Sequence, residues 1–155
     1  MKWLARLITH GAALLLGIAL GIFLLPILIQ EQPPSASELS GVQTNASYVA
    51  EFDRNRSGSD LLHWGEGMLY FAPDTVAFAG DLAPGPDYRL YLSPVYVENE
   101  EQFLANKDKM VEIGNINSFK GFMLPLPEHL DISRYTTAIV WCESFNQFIS
   151  SGRYQ

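Results

Sequence analysis

The chain has 155 residues, 48% of them hydrophobic, with ten basic and seventeen acidic side chains. Lys2 and Arg6 precede a long apolar run, and everything after Ile29 carries eight basic against seventeen acidic residues, a net charge of −9. That balance argues against nucleic acid, whose binding needs clustered Lys and Arg to displace counterions, and against a polybasic membrane-surface patch. The portion beyond Ile29 is long enough for one domain and a linker, and too short for two.

Gly11 to Ile29 is a run of 19 uncharged residues dominated by Leu, Ile, Ala and Gly. As a helix it would cross roughly 30 Å of hydrocarbon at about 1.5 Å per residue. A cleaved signal peptide usually has a shorter apolar core and a small-residue cleavage site, whereas here Pro26, Pro33 and Pro34 occupy the junction. The run is therefore expected to be a retained single-span anchor. Lys2 and Arg6 on one side, against Glu31 and Glu38 on the other, put residues 1–10 in the cytoplasm by the positive-inside rule and the rest of the chain outside it, in a periplasmic or extracellular space. Residues 30–46, rich in Pro, Ser, Glu and Gln with no apolar period, are expected to be a flexible linker.

The extracytoplasmic domain is expected over residues 47–155, and its punctuation is that of an all-β fold. Gly67 to Phe71 and Thr75 to Ala79 flank Ala72-Pro73-Asp74, a turn in which Pro presets φ and Asp bonds the following backbone. After the ladder-breaking Pro84-Gly85-Pro86-Asp87, Tyr88 to Leu92 reads as another strand. Glu98 to Lys109 is the one helical candidate, with acids first and lysines last, matching the macrodipole. Met110 to Ile113, Gly121 to Leu124 and Tyr135 to Phe145 bring the count to about six or seven mostly antiparallel strands, as in a sandwich or small barrel.

The most informative stretch is Tyr135 to Phe148, which holds the sole cysteine, Cys142. Alternation places Ala138, Val140 and Cys142 on one face and Ile139, Trp141, Glu143 and Phe145 on the other. Both faces are apolar as far as Trp141, which predicts a central strand, with Glu143 expected as a surface acid. Free cysteine is among the residue types most often buried, and an inert core thiol is one reading of Cys142. The other is redox or ligand chemistry, because an odd cysteine in an oxidising compartment cannot close an internal disulfide. Glu143 nearby would raise the thiol pKa, and a protonated His63 or Arg134 would lower it. His63 is a second ligand or proton partner in principle, although a lone histidine at a strand start is usually a hydrogen-bonded structural residue. The spacing of His63, His129 and Cys142 matches no short metal-ligand motif, and no metal is expected. Phosphate-cradling Gly-rich loops, Gly-x-Ser-x-Gly elbows and His-Glu-x-x-His helices are missing.

His63-Trp64-Gly65-Glu66-Gly67, Pro86-Asp87-Tyr88-Arg89-Leu90-Tyr91-Leu92-Ser93, Gly114-Asn115-Ile116-Asn117-Ser118-Phe119-Lys120-Gly121, Leu124-Pro125-Leu126-Pro127 and Tyr135 through Trp141-Cys142-Glu143-Ser144-Phe145 succeed one another in order. Together they resemble the electron transfer DM-thirteen domain over about residues 60–148. The chain departs from that family's usual Phe-Gly continuation at Phe148-Ile149-Ser150-Ser151-Gly152. The resemblance implies a β-sandwich-like extracytoplasmic domain that exchanges electrons with a protein redox partner. Its one characteristic cysteine, here Cys142, would act as a bare thiol or through a prosthetic group such as haem, with the opening histidine falling on His63. The competing function is a non-redox adhesion or interaction sandwich whose cysteine is merely buried.

Overall fold

The computed structural model describes residues 2–155. Helix α1 (Lys2–Ile29) is long and apolar enough to cross a membrane, with a mean hydropathy of 2.8 over its best 18-residue window and none of its residues buried. Pro26 sits in its last turn. The chain then docks on the domain, where the Glu31 N–H donates to Asn117 O at 2.8 Å and Asn117 Nδ2 donates to Glu31 Oε1 at 3.0 Å.

The stretch expected to be a flexible linker instead holds helix α2 (Ala36–Thr44). Ser35 caps it by accepting the Glu38 N–H, while Glu38 accepts the Ser35 N–H in return, the reciprocal arrangement that satisfies two otherwise orphaned donors. Val42 and Leu39 pack against Ala72, Ala77, Tyr70 and Met123, so a short helix of weak amphipathicity is held by the sheet beneath it.

The domain is a sandwich of two four-stranded antiparallel sheets. The first contains β1 (Tyr48–Phe52), β2 (Gly65–Phe71), β3 (Thr75–Leu82) and β6 (Phe122–Pro125), in that order. The second is ordered β5 (Val111–Ile116), β4 (Tyr88–Ser93), β7 (Thr137–Cys142), β8 (Gln147–Arg153). Phe52, Leu69, Phe71 and Phe78 from one sheet meet Leu90, Leu92, Val140 and Ile149 from the other in the main core. Arg56 ties the facing edges of β1 and β8, its Nε donating to Ser151 O at 2.9 Å and its Nη2 to Glu51 O at 3.0 Å.

Eight strands replace the expected six or seven, for two local reasons. Tyr48–Phe52 pairs with β2 as an additional edge strand. The single strand expected over Tyr135 to Phe145 ends at Cys142, where Glu143 to Asn146 turn back into β8, with Asn146 at φ 49°, a left-handed conformation that Asn tolerates. The segment Phe148 to Gly152 lies within β8. The expected helix over Glu98 to Lys109 is shorter: α3 (Glu100–Asn106) starts on the Asn99 side chain and ends in a 3-10 turn over Lys107–Lys109.

Strand β7 is interior, paired with β4 on one side and β8 on the other, and all six of its residues are buried. Ala138, Val140 and Cys142 face the main core. Ile139 and Trp141 face a second core with Tyr91, Val97, Phe103 and Phe148. Phe103 of α3 lies flat on the Trp141 ring, centroids 3.9 Å apart and planes 10° from parallel. The helix thus supplies the cover that makes the outer face of β7 apolar too.

Candidate functional site

Cys142 is the last residue of β7 and stands opposite Tyr88, the first residue of β4. The segment Pro84-Gly85-Pro86 passes over both. Its close approach needs glycine, since a Cβ on Gly85 would lie 2.7 Å from Tyr88 Cζ. The Cys142 thiol donates to Pro86 O, with Sγ and O 2.9 Å apart. Only 2% of the residue is exposed.

Beside this thiol is a largely apolar cavity of about 140 Å³ whose walls include Cys142, Tyr88, His63, Pro86 and Phe145, together with Ile22 and Phe23 of α1. Burial pushes the Cys142 thiol above its ordinary pKa. Asp87 and Glu143 reinforce that rise, and the backbone N–H groups of Phe145 and Ser144 oppose it. The expectation that Glu143 would act in this direction holds, but desolvation is the larger cause. Tyr88 is likewise driven up by burial and then by Cys142, so its hydroxyl keeps its proton.

His63 reaches the same cavity from a loop built on Asp60. The Asp60 carboxylate accepts the backbone N–H groups of Leu62 and His63, at 2.7 and 2.8 Å, and lies 3.0 Å from His63 Nδ1. The hydrogen bond from His63 holds the Asp60 carboxyl below the usual carboxylate range. This engages one ring nitrogen and leaves Nε2 as the atom with which His63 meets any other group. His129 is not brought near: it comes after β6, whose last residue, Pro125, pairs with Thr75 at the end of the sandwich opposite Cys142. Among the described residues no three His, Cys, Asp or Glu side chains converge as a metal site requires.

A second polar group, which sequence reasoning did not anticipate, covers the outer face of the second sheet. Lys107 Nζ lies 2.8 Å from both oxygens of Glu143, and Arg89 Nη1 lies 2.7 Å from Glu112 Oε1. The Tyr91 hydroxyl donates to Glu143 and sits 3.0 Å from Glu112 Oε2. Burial, then the two carboxylates, push the Tyr91 pKa up. For Glu143 burial works upward but is outweighed by hydrogen bonds from Lys107 and Tyr91, which hold its pKa below the ordinary value. Glu143 is thus a bound, partly buried acid rather than the surface acid expected from sequence. The signal was not local, because Lys107 arrives from the end of α3 and Glu112 from β5.

Among known protein families, the model described as Electron transfer DM13 matches residues 52–154. No curated protein and no solved structure gives a significant match.

Proposed function

The chain belongs to the electron transfer DM13 family, and on that premise we propose that it is a membrane-tethered, extracytoplasmic electron-transfer domain whose redox centre is Cys142. The observation that carries this reading is the shared cavity: the only thiol of the chain and His63, far apart in sequence, line one apolar space beside the anchor helix. Helix α1 supplies the tether, with Lys2 and Arg6 setting its orientation so that the sandwich faces outward.

A thiol and an imidazole are both haem ligands, so the donor types present are compatible with that group. The space is not: the cavity of about 140 Å³ is well under the roughly 300 Å³ at the low end of sites for drug-sized ligands. It does not enclose a haem, and no step is assigned to one. The bare thiol is the simpler agent, and a disulfide on an extracytoplasmic partner protein is the chemistry it fits. Cys142 Sγ would bond to one partner sulfur while the partner S–S bond breaks, and the released sulfur would leave with the proton that Cys142 gave up. The raised pKa keeps the thiolate scarce near neutrality, so such exchange quickens as pH rises.

Burial also favours the second reading, a sandwich used as an interaction platform with a structural cysteine. The two separate when the folded full-length chain is treated with a small aromatic disulfide such as dithiodipyridine. Redox function predicts that folded Cys142 forms the mixed disulfide, that Cys142→Ser is silent, and that the rate still climbs with pH where an ordinary thiol of pKa about 8.5 has levelled off. Modification only after unfolding would sink the redox reading and leave the platform.

A further inference from the structure

The end of the sandwich that holds Cys142 presents three large apolar side chains to solvent. Leu61 and Leu62 of the loop before β2 are 85% and 60% exposed, and Phe145 of the β7–β8 turn is 56% exposed. Single exposed apolar residues are ordinary, whereas a group at one end of a domain marks a contact surface. This group is continuous with the anchor, since Leu62 and Phe145 share one cavity wall with Ile22 and Phe23.

The level of that contact is set by helix geometry. Roughly 30 Å of hydrocarbon that begins at Gly11 ends about 20 residues later, at about 1.5 Å per residue, near Ile29. Ile22 and Phe23 then lie inside the outer leaflet, and domain residues packed at their level reach the lipid as well. The net charge of −9 beyond the helix leaves electrostatic attraction to anionic lipid out of account, so burial of apolar side chains is the term that remains.

We propose that the domain rests on the bilayer through Leu61, Leu62 and Phe145, with these side chains among the outer acyl chains and the Cys142 cavity at the lipid boundary. The inference rests on the reading of α1 as a retained span. Given that span, it identifies the second occupant of this surface as the membrane itself rather than another copy or a soluble protein.

The test uses the full chain in phosphatidylcholine vesicles, carrying Cys142→Ser and one new labelling site, Leu62→Cys or Asp74→Cys, modified with nitrobenzoxadiazole. Asp74 is exposed in the β2–β3 turn at the opposite end of the sandwich. The label at position 62 is expected to emit at shorter wavelength and to be quenched severalfold more by acyl-brominated lipid than the label at position 74. Equal, weak quenching of the two in a chain that co-floats with the vesicles overturns the docking while leaving the anchor intact. A blue shift at position 62 without lipid quenching overturns it in favour of a protein contact. Failure of the chain to co-float removes the anchor reading, and this inference with it.

Discussion

Trp141 and Glu143 are two residues apart and were expected to differ as core does from surface. Trp141 is fully buried and stacked on Phe103, so Trp141→Ala is expected to lower stability by about 3 to 5 kcal/mol through lost burial and the cavity left behind. Glu143 is not neutral to stability either, because it holds Lys107 and Tyr91. Its side chain is 21% exposed, and Glu143→Gln is expected to cost about 1.5 kcal/mol at pH 7, as for a hydrogen bond to a charged group. The pH dependence stems from the depressed pKa of Glu143 in the folded state. The stabilisation is present in full above the unfolded value of about 4.3 and is lost as pH falls through the folded value. Urea midpoints at pH 7 and pH 3 should therefore show wild type and Glu143→Gln converging in acid. A constant gap between them would mean that the carboxylate is not what stabilises.

Among the secondary-structure elements, α2 is the clearest departure from expectation and the one with a readable signal. Ser35 and Glu38 stand at the Ser-x-x-Glu spacing of a capping box, but the Pro-, Ser- and Gln-rich composition around them outweighed it. Removing the cap with Ser35→Ala is expected to destabilise α2 by about 1 kcal/mol. Amide exchange should quicken in residues 36–44 and leave the β7 amides unchanged. Equal loss of protection in β7 would mean that α2 and the sandwich unfold as one unit. The β7–β8 hairpin also had a sign in the sequence, since Asn146 is a residue that tolerates the left-handed turn conformation it adopts. It was obscured because Glu143 and Phe145 continue the alternation begun at Ile139 and Trp141.

The molecule as a whole is proposed to consist of one span, a docked helix and an outward-facing sandwich. Protease added to intact cells, or to spheroplasts where an outer membrane encloses them, is expected to digest the domain and leave a small membrane-bound stub. Protection of the domain would reverse the orientation, and release of a soluble mature protein would show that the apolar segment is cleaved.

The class of each part is legible in the residues alone. Strand-length apolar runs between Pro- and Gly-bearing turns specify an antiparallel β domain because side-chain alternation and backbone breakers are local properties. The 19-residue uncharged run is likewise readable because hydrocarbon thickness converts directly into residue number. The doubly apolar pattern of β7 announced an interior strand. Tertiary packing was needed to establish that Phe103 supplies the cover for Trp141, that Lys107 and Glu112 meet around Tyr91 and Glu143, and that His63 and Cys142 share a cavity beside α1. Each of these joins residues from different elements whose distance is set by strand order, register and the path of loops. The state of the thiol belongs with them, because burial under Pro86 and nearby Asp87 raise its pKa, and neither is visible in the residues flanking Cys142 on its own strand.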